Sequence, residues 1–495
     1  MDRTPDELMV MIASHLEAPL APYAAISRRW QDVIEARTFS EIHLTSDEGS
    51  RLKFDAAFKT TRRRRMLQVL DFEVELPCPY FDKVQARREA AKNNAAFTEA
   101  NLTLFQTLSV WDRDDTNVWF NLAIGVDLVG RSPRSTDMNT NTYIPPNPVN
   151  NWIKYVNFDY AILNASGGLP LVLVVSALKL SVSYRLYHPN LLTTLSGALP
   201  NLEGLDANFL APARRLPNMR QSIRSSMAGS LCAIAANLHF LTCLKLYWGD
   251  CEPSSLRFPL ESYIGLDSPH DRFSIAIRRI CQLPTMRHVQ LIGNCILSDQ
   301  IFGGAADDSV WPSLKTIEIG MALTAPDARW YFTGNPEDVE PIEDYGDSEG
   351  EIPNGSSVDA EYPNAMVWAF ESRWQRENSK NPFHNFRTKP CGAILVPFLT
   401  SLARATARMP ALRQLELELS FVLFVGFYRP SLPKLERDYS ATTMGSFFDA
   451  HRNHSKWVIC FDDEAKKNWR FPPVLTTALL DMSPHIFRGQ ALYRS

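Results

Sequence analysis

Apolar residues recur along the chain in a six-residue pattern, Ø-x-x-Ø-x-Ø, where Ø is an apolar side chain. Alternate residues of an extended strand share a face, so the last two Ø positions of each copy point into one core while their neighbours face away from it. The pattern therefore predicts a short strand at each copy. The nine copies begin at Phe39, Leu67, Phe105, Val175, Leu202, Leu241, Met286, Leu314 and Leu412.

Helical segments lie between several of these copies. Proline two places before the first Ø ends a helix and leads into a strand, because it lacks an N–H and disfavours helical geometry in the residue before it. Four copies carry such a proline, namely Pro200, Pro284, Pro312 and Pro410. The segments that read as helices are residues 191–199, 225–239, 274–283 and 397–409. The repeating unit is therefore a helix, a short turn and a strand.

The spacing of the copies is mostly that of one unit of a long leucine-rich repeat, with some gaps the size of two units. Stacked units of this kind form a solenoid with an extended concave surface. We therefore expect an α/β fold, an irregular right-handed solenoid of leucine-rich-repeat type with parallel strands inside and helices outside. The copies lack the asparagine that regular leucine-rich repeats place after the third Ø, so we expect uneven curvature.

Four segments depart from the repeat. Residues 82–105 read as a polar helix covering the N-terminal repeats, and residues 131–151, rich in Ser, Pro, Asn and Thr, read as a loop. Residues 334–364 carry ten acidic and no basic side chains and are interrupted by Pro and Gly, which predicts a disordered acidic loop. Near the C-terminus, residues 446–471 read as strand-like and residues 474–482 as a last helix, together capping the solenoid.

The first thirty-five or so residues have the pattern of three short helices instead. Thr4 and Glu7 fit a capping box, and Pro5 fits the first helical position, where its missing N–H costs nothing. One apolar face of the first helix is formed by Leu8, Ile12 and Leu16. A second short helix is expected after Pro19, and a third one after a capping Ser27. Such a small segment needs a partner or a neighbouring domain for stability.

Composition narrows the functional class. With 45% hydrophobic and 11% aromatic residues, the 495-residue chain can bury a large core. A net charge of −4 gives no general reason to expect binding to nucleic acid or to a membrane surface. The most apolar run, 169–182, is too short for a membrane span. The eight scattered cysteines and the absence of an apolar leader-like segment favour an intracellular location, cytoplasmic or nuclear.

The N-terminal residues resemble the F-box, the adaptor-binding module of cullin–RING ubiquitin ligases. The residues that carry this resemblance are Pro5-x-Glu7-Leu8, Ile12, Leu16, Leu20 and Ala25-Ile26-Ser27-Arg28-Arg29-Trp30. Over nearly its full length the chain is similar to F-box proteins of filamentous fungi that carry irregular leucine-rich repeats. The matching stretches are 20–23, 37–39, 64–77, 169–178, 311–314, 409–412 and 457–461.

The resemblance implies a non-enzymatic substrate receptor of a Skp–cullin–F-box E3 ubiquitin ligase. It implies that residues 1–38 bind the Skp-type adaptor and so join the cullin ligase core, while residues 39–495 bind an unknown protein substrate. No catalytic residue, metal ligand or cofactor is implied. The residues implied in adaptor binding are Pro5, Leu8, Ile12, Leu16, Leu20, Tyr23, Ile26 and Trp30. Candidates for the concave substrate face are Lys245, Tyr247, Gln290, Glu318, Glu416 and Glu418.

Other chemistries have weaker support. The run Arg62–Arg65 suits a nuclear-import or nucleic-acid patch, or a solvated turn before the next strand, and the resemblance favours the turn. A metal site or a hydrolase centre built on His451 and His454 with Cys460 and Asp462 lacks the tight paired spacing of zinc ligands. The sequence contains no GxSxG, Walker, GxGxxG or HExxH motif.

One alternative of a different class stays open. The family usually has leucine where this chain has Thr4, and that departure suits a scaffold whose degenerate F-box no longer binds the adaptor. Such a scaffold would bind other proteins outside any ligase.

Overall fold

A computed structural model gives the fold. It describes residues 5–16, 20–77, 83–111, 119–128, 160–181, 187–212, 217–249, 260–264, 270–303, 310–335, 337, 387, 389–419, 423–429, 455–461, 472–481, 483 and 485–490. Within these residues the chain is an α/β protein with eleven α-helices and a mostly parallel sheet of twelve strands. The expected α/β class is therefore confirmed.

The strands of the sheet follow one another in the order β1-β2-β3-β4-β5-β6-β7-β8-β11-β12-β13-β14, and a separate antiparallel pair is formed by β9 and β10. Their bounds are β1 Glu41–Thr45, β2 Val69–Leu76, β3 Phe120–Leu128, β4 Val175–Leu180, β5 Gly204–Leu210, β6 Cys243–Gly249, β7 His288–Cys295, β8 Thr316–Met321, β9 Phe332–Thr333, β10 Lys389–Pro390, β11 Gln414–Leu419, β12 Leu423–Tyr428, β13 Lys456–Phe461 and β14 His485–Gln490.

The helices lie between many of these strands. Their bounds are α1 Asp6–His15, α2 Ala21–Ala24, α3 Arg28–Ser40, α4 Glu48–Ala57, α5 Thr61–Arg64, α6 Lys83–Ser109, α7 Asn190–Ala198, α8 Pro217–Asn237, α9 Arg272–Cys281, α10 Gly392–Ala407 and α11 Pro473–Leu480, with a short 3-10 helix at Asp299–Phe302.

The chain divides into two compact units. The first comprises Met1–Phe209 with Gly229–Tyr247, and the second Leu210–Ala228 with Trp248–Ser495. In the first unit, strands β1 to β5 pair in parallel. Alternate residues along β2 and β3 are fully buried, as period-two packing requires. These buried positions are Leu70, Phe72, Val74, Leu122, Ile124 and Val126.

In the second unit, β7, β8 and β11 pair in parallel. Two helix-to-strand units follow the predicted pattern, since α9 precedes β7 and α10 precedes β11. The sheet then changes direction: β12 pairs antiparallel with β11 and with β13, and β14 runs parallel to β13. The apolar core lies on one face of these strands, where Val289, Ile317 and Leu415 are buried.

Eight of the nine predicted strands are confirmed, each within or overlapping its six-residue copy. The prediction of a strand at Phe105 is wrong, because that copy lies in α6. Its apolar residues belong to a longer helical stripe, in which buried positions recur at i, i+4, i+7, i+8 and i+11. The stripe consists of Phe97, Asn101, Leu104, Phe105 and Leu108.

The predicted helices at 191–199, 225–239, 274–283, 397–409 and 474–482 are confirmed in type and position, and so is a helix over most of 82–105. The predicted loop at 131–151 lies outside the described residues, as does the predicted acidic loop at 334–364 except for Gly334, Asn335 and Glu337.

Candidate functional site

The first candidate site is the outer surface of the N-terminal helices. The first helix begins at Asp6 with Pro5 as its N-cap residue, so the prediction that Pro5 occupies the first helical position is wrong. The predicted capping box of Thr4 and Glu7 stays a prediction, because Thr4 lies outside the described residues. The predicted cap of α3 is confirmed, since the Ser27 hydroxyl accepts a 3.3 Å hydrogen bond from the Trp30 amide.

The inner face of α1 is not the one that the sequence suggested. Met9 and Ala13 are the buried residues, at 2% and 1% exposure, and Ile34 of α3 is buried at 3%. Arg37 of α3 donates to the carbonyl oxygens of Ala13 and Leu16, which lie at the C-terminal end of α1. These contacts hold α1 against α3 without using the stripe of Leu8 and Ile12.

Leu8 and Ile12 instead point outward, at 48% and 47% exposure, together with Met11 at 59%. A helix turns about 100° per residue, so these three side chains share one outer face. Of the other predicted adaptor-binding residues, Ile26 is 52% exposed and Pro5 is also exposed. The remaining four are half-buried, namely Leu16, Leu20, Tyr23 and Trp30. Sequence reasoning missed Met11 because it assumed strict four-residue spacing.

The arginine run is a single helical turn whose side chains are exposed or half-exposed but pair with the rest of the chain. It forms α5, where Arg62 pairs with Asp32 and Glu35 of α3, and Arg63 lies 3.2 Å from Glu35. Arg64 donates a 2.8 Å hydrogen bond to the Phe58 carbonyl. The run therefore fastens α5 to α3.

Glu35 gives this link a pH dependence. Its burial raises the pKa, but hydrogen bonds from Gln31 and Arg63 and the charges of Arg62 and Arg63 outweigh burial, so the pKa lies below its ordinary value of 4.5. A carboxyl group with a lowered pKa in the folded state stabilises the fold above its unfolded pKa and loses that contribution as pH falls through the folded pKa.

We therefore expect the midpoint of thermal unfolding to fall more steeply below about pH 4.5 in the parent chain than in Glu35→Gln, which cannot titrate. Differential scanning calorimetry between pH 3 and pH 7 would measure the difference. Glu48→Gln serves as the matched control, because it is the same chemical change at an exposed carboxylate that is not part of the α3–α5 link, so its pH curve should follow that of the parent chain. Parallel pH curves for the parent chain and Glu35→Gln would contradict the assignment.

The other candidate residues lie on strands of each unit and belong to the face opposite the buried apolar positions of their own strands. Lys245 and Tyr247 are half-exposed in the first unit, and in the second unit Gln290 and Glu318 are half-exposed and Glu418 is exposed. Lys245 lies 3.5 Å from Asp206, and Gln290 donates a 2.9 Å hydrogen bond to Glu318. The expectation for Glu416 is wrong: it is only 4% exposed.

Glu416 is covered by Tyr428 of the neighbouring strand β12. The Tyr428 hydroxyl lies 2.9 Å from a Glu416 carboxylate oxygen, and Gln414 donates a 3.0 Å hydrogen bond to the same oxygen. Sequence reasoning could not place Tyr428 there, because β12 does not follow the repeat pattern.

The described part of the chain gives no support to a metal site or to a hydrolase centre. It contains no group of three or more His, Cys, Asp or Glu residues placed to hold a metal ion. His451, His454 and Asp462 lie outside the described residues, while Cys460 is buried in β13. Burial raises the pKa of the Cys281 thiol to about 12, which suits an inert packed side chain.

Within the described residues, no helix combines the length and apolarity required to cross a membrane. No protein-family model matches the chain, and no curated protein matches its sequence.

Proposed function

We propose that the chain is the substrate-receptor subunit of a Skp–cullin–F-box E3 ubiquitin ligase. In this proposal residues 1–38 form an F-box that binds the Skp-type adaptor, and residues 39–495 form a leucine-rich-repeat-like solenoid that binds a protein substrate. The supporting observation is the outward apolar face of α1, with three large side chains each about half exposed, Leu8, Met11 and Ile12. Grouped apolar exposure of this kind is typical of protein-binding surfaces.

The packing of α1 suits a surface kept free for a partner. Its contacts with α3 use Met9 and Ala13, so covering Leu8 and Ile12 with an adaptor requires no rearrangement of the helices. Burying apolar side chains that are already ordered is favourable by about 25 cal/mol per Å². The half-buried Trp30 adds an aromatic anchor of the type found at binding hot spots.

We expect Leu8→Ala with Ile12→Ala to weaken binding to a purified Skp-type adaptor by about thirtyfold or more. Each change removes about three methylene-sized groups worth about 0.8 kcal/mol each on full burial, and each 1.4 kcal/mol is tenfold in affinity. Only about half of that gain is left for adaptor binding, because Leu8 and Ile12 are already about half buried in the free chain. Isothermal titration calorimetry would measure the loss. Because Leu8 and Ile12 are both exposed in the free chain, the double variant should have the thermal stability of the parent chain.

Val10→Ala is the matched control. Val10 is 56% exposed on the same helix, but it lies about 180° around the axis from the midpoint of Leu8 and Ile12. It should bind the adaptor like the parent chain. Equal affinity of the Leu8/Ile12 variant and the parent would overturn the proposed contact surface.

The alternative is a protein-interaction scaffold outside any ligase, and the observation that favours it is Thr4 in place of the usual leucine. A parent chain that is folded by circular dichroism yet does not bind the adaptor would support it. Thr4→Leu discriminates further, since gained adaptor binding would identify a degenerate F-box.

A further inference from the structure

One row of side chains crosses the sheet of the first unit from β1 to β5. The register of the parallel strands aligns one residue on each of them, namely His43, Asp71, Ala123, Lys179 and Asp206. Each of the five is flanked on its own strand by a buried apolar residue. Because successive side chains of a strand point to opposite faces, all five lie on the face away from the apolar core. They are here called the charged row.

The charged row is negative at its β1–β2 end. His43 lies between two carboxylates of β2, with its Nδ1 3.3 Å from Asp71 and its Nε2 3.4 Å from Glu73. An imidazole carries at most one positive charge, so it balances at most one of the two carboxylates. The Asp71 side chain is 34% exposed, whereas that of Glu73 is 11% exposed. Asp71 is therefore the carboxylate that a partner can reach at this end.

The other end of the charged row is positive. Lys179 on β4 is exposed, and within the described part of the chain its side chain makes no hydrogen bond or ion pair. Asp206, its register partner on β5, instead lies 3.5 Å from the Nζ atom of Lys245 on β6. Two ammonium groups therefore accompany one carboxylate. The Lys179 ammonium is the group left to bind an anionic side chain of a partner.

The two charged ends are separated by one small side chain. Ala123 on β3 is the register partner of Asp71 on one side and of Lys179 on the other, and it is half-exposed. Neighbouring strands lie about 4.8 Å apart, so Asp71 and Lys179 are about 10 Å apart across β3. The main chain of a bound peptide can therefore approach the sheet between the two charges without meeting a bulky side chain in the row.

We propose that the charged row binds an extended peptide that carries a basic and an acidic side chain two residues apart. Such side chains point to the same side of the peptide, about 7 Å from each other, and their own length covers the remaining distance. The basic one would pair with Asp71 and the acidic one with Lys179. A nucleic acid fits less well, because its phosphates would meet Asp71 and Glu73. As the substrate class of the receptor, this assignment rests on the proposed function, but the binding itself does not require the adaptor.

The experiment uses the full chain without adaptor and three fluorescein-labelled peptides of about eight residues, long enough to span strands β1 to β6 when extended. The mixed peptide has Arg and Glu two positions apart at its centre, in a background of Gly and Ser. The basic peptide has Arg at both positions and the acidic peptide has Glu at both. Fluorescence anisotropy gives the affinities. The mixed peptide is expected to bind more tightly than either other peptide, and added salt should weaken its binding.

Asp71→Asn and Lys179→Gln should each weaken binding of the mixed peptide about threefold, since each removes one ion pair at a partly exposed site. Asp55→Asn and Lys53→Gln are the matched controls. Asp55 and Lys53 are exposed in the same unit but lie on helix α4, and the chemical changes are the same. Both controls should bind the mixed peptide like the parent chain.

Lys179→Glu tests the preference for two opposite charges. It makes both ends of the charged row acidic, so it should weaken binding of the mixed peptide and strengthen binding of the basic peptide. The proposal is overturned if the parent chain does not bind the mixed peptide or binds either other peptide more tightly. It is also overturned if Asp71→Asn and Lys179→Gln leave the affinity unchanged. None of these outcomes depends on whether α1 binds the adaptor, so a failure here would leave the proposed adaptor contact standing.

Discussion

Asp271→Ala is expected to destabilise the second unit by about 3–5 kcal/mol, which is the usual cost of removing one partner from a buried ion pair. Asp271 is 2% exposed and Arg224, which lies 2.9 Å from it, is 5% exposed. Removing the carboxylate leaves the guanidinium buried without its counter-charge. Urea denaturation would measure the lost stability, and hydrogen exchange would localise it to the second unit.

The carboxylate has a second role that adds to the expected loss. Asp271 caps α9, and one of its oxygens accepts hydrogen bonds from both the amide and the hydroxyl of Ser274, at 3.2 and 2.5 Å. Arg224 is itself held by the Ile296 carbonyl at 2.7 Å and lies over the Phe273 ring at 4.6 Å. The guanidinium therefore cannot reach solvent once its counter-ion is gone.

Asp47→Ala separates the two roles. Asp47 also caps a helix, accepting a 2.9 Å hydrogen bond from the Ser50 amide, but it is exposed. Its replacement should cost only about 1 kcal/mol, the usual value for a helix cap. Arg224→Met combined with Asp271→Ser restores a cap without a buried charge and should be less damaging than Asp271→Ala. Equal losses for Asp271→Ala and Asp47→Ala would show that the ion pair contributes nothing.

Most strands could be predicted from the sequence because each buries alternate residues within six positions. Strand β3 was not predicted. Its apolar residues Phe120, Leu122, Ile124 and Val126 alternate strictly, whereas the search pattern required two residues between its first and second apolar positions. The false strand at Phe105 arose because a spacing of three fits a helix as well as the pattern. Length decides such cases, and α6 continues its stripe over many more residues.

The candidate surfaces were predictable in position but not in detail. Spacing showed that α1 has an apolar face, yet it could not decide between two overlapping faces, because Met9 and Ala13 are also four residues apart. Only the burial of Met9 and Ala13 in the folded chain settles which side is inside.

Gly293→Ala is expected to destabilise the second unit by about 1–3 kcal/mol from backbone strain, with a further loss from a steric clash. Gly293 has φ of +96°, a conformation that residues with a Cβ rarely adopt. It lies where the register between β7 and β8 shifts, between Leu291 and Cys295. A Cβ there would approach the Trp248 carbonyl oxygen to 2.7 Å, so the backbone itself would have to move.

Gly197→Ala is the matched control, and it should change stability in the opposite direction. Gly197 lies in α7, and a Cβ at that position would meet nothing within 4 Å. Alanine favours a helix over glycine by about 1 kcal/mol, so that variant should unfold at higher urea concentration. Both substitutions add one methyl group, so opposite changes in stability would be due to the different backbone environments of the two glycines. Two variants of equal stability would mean that β7 accepts a side chain at Gly293.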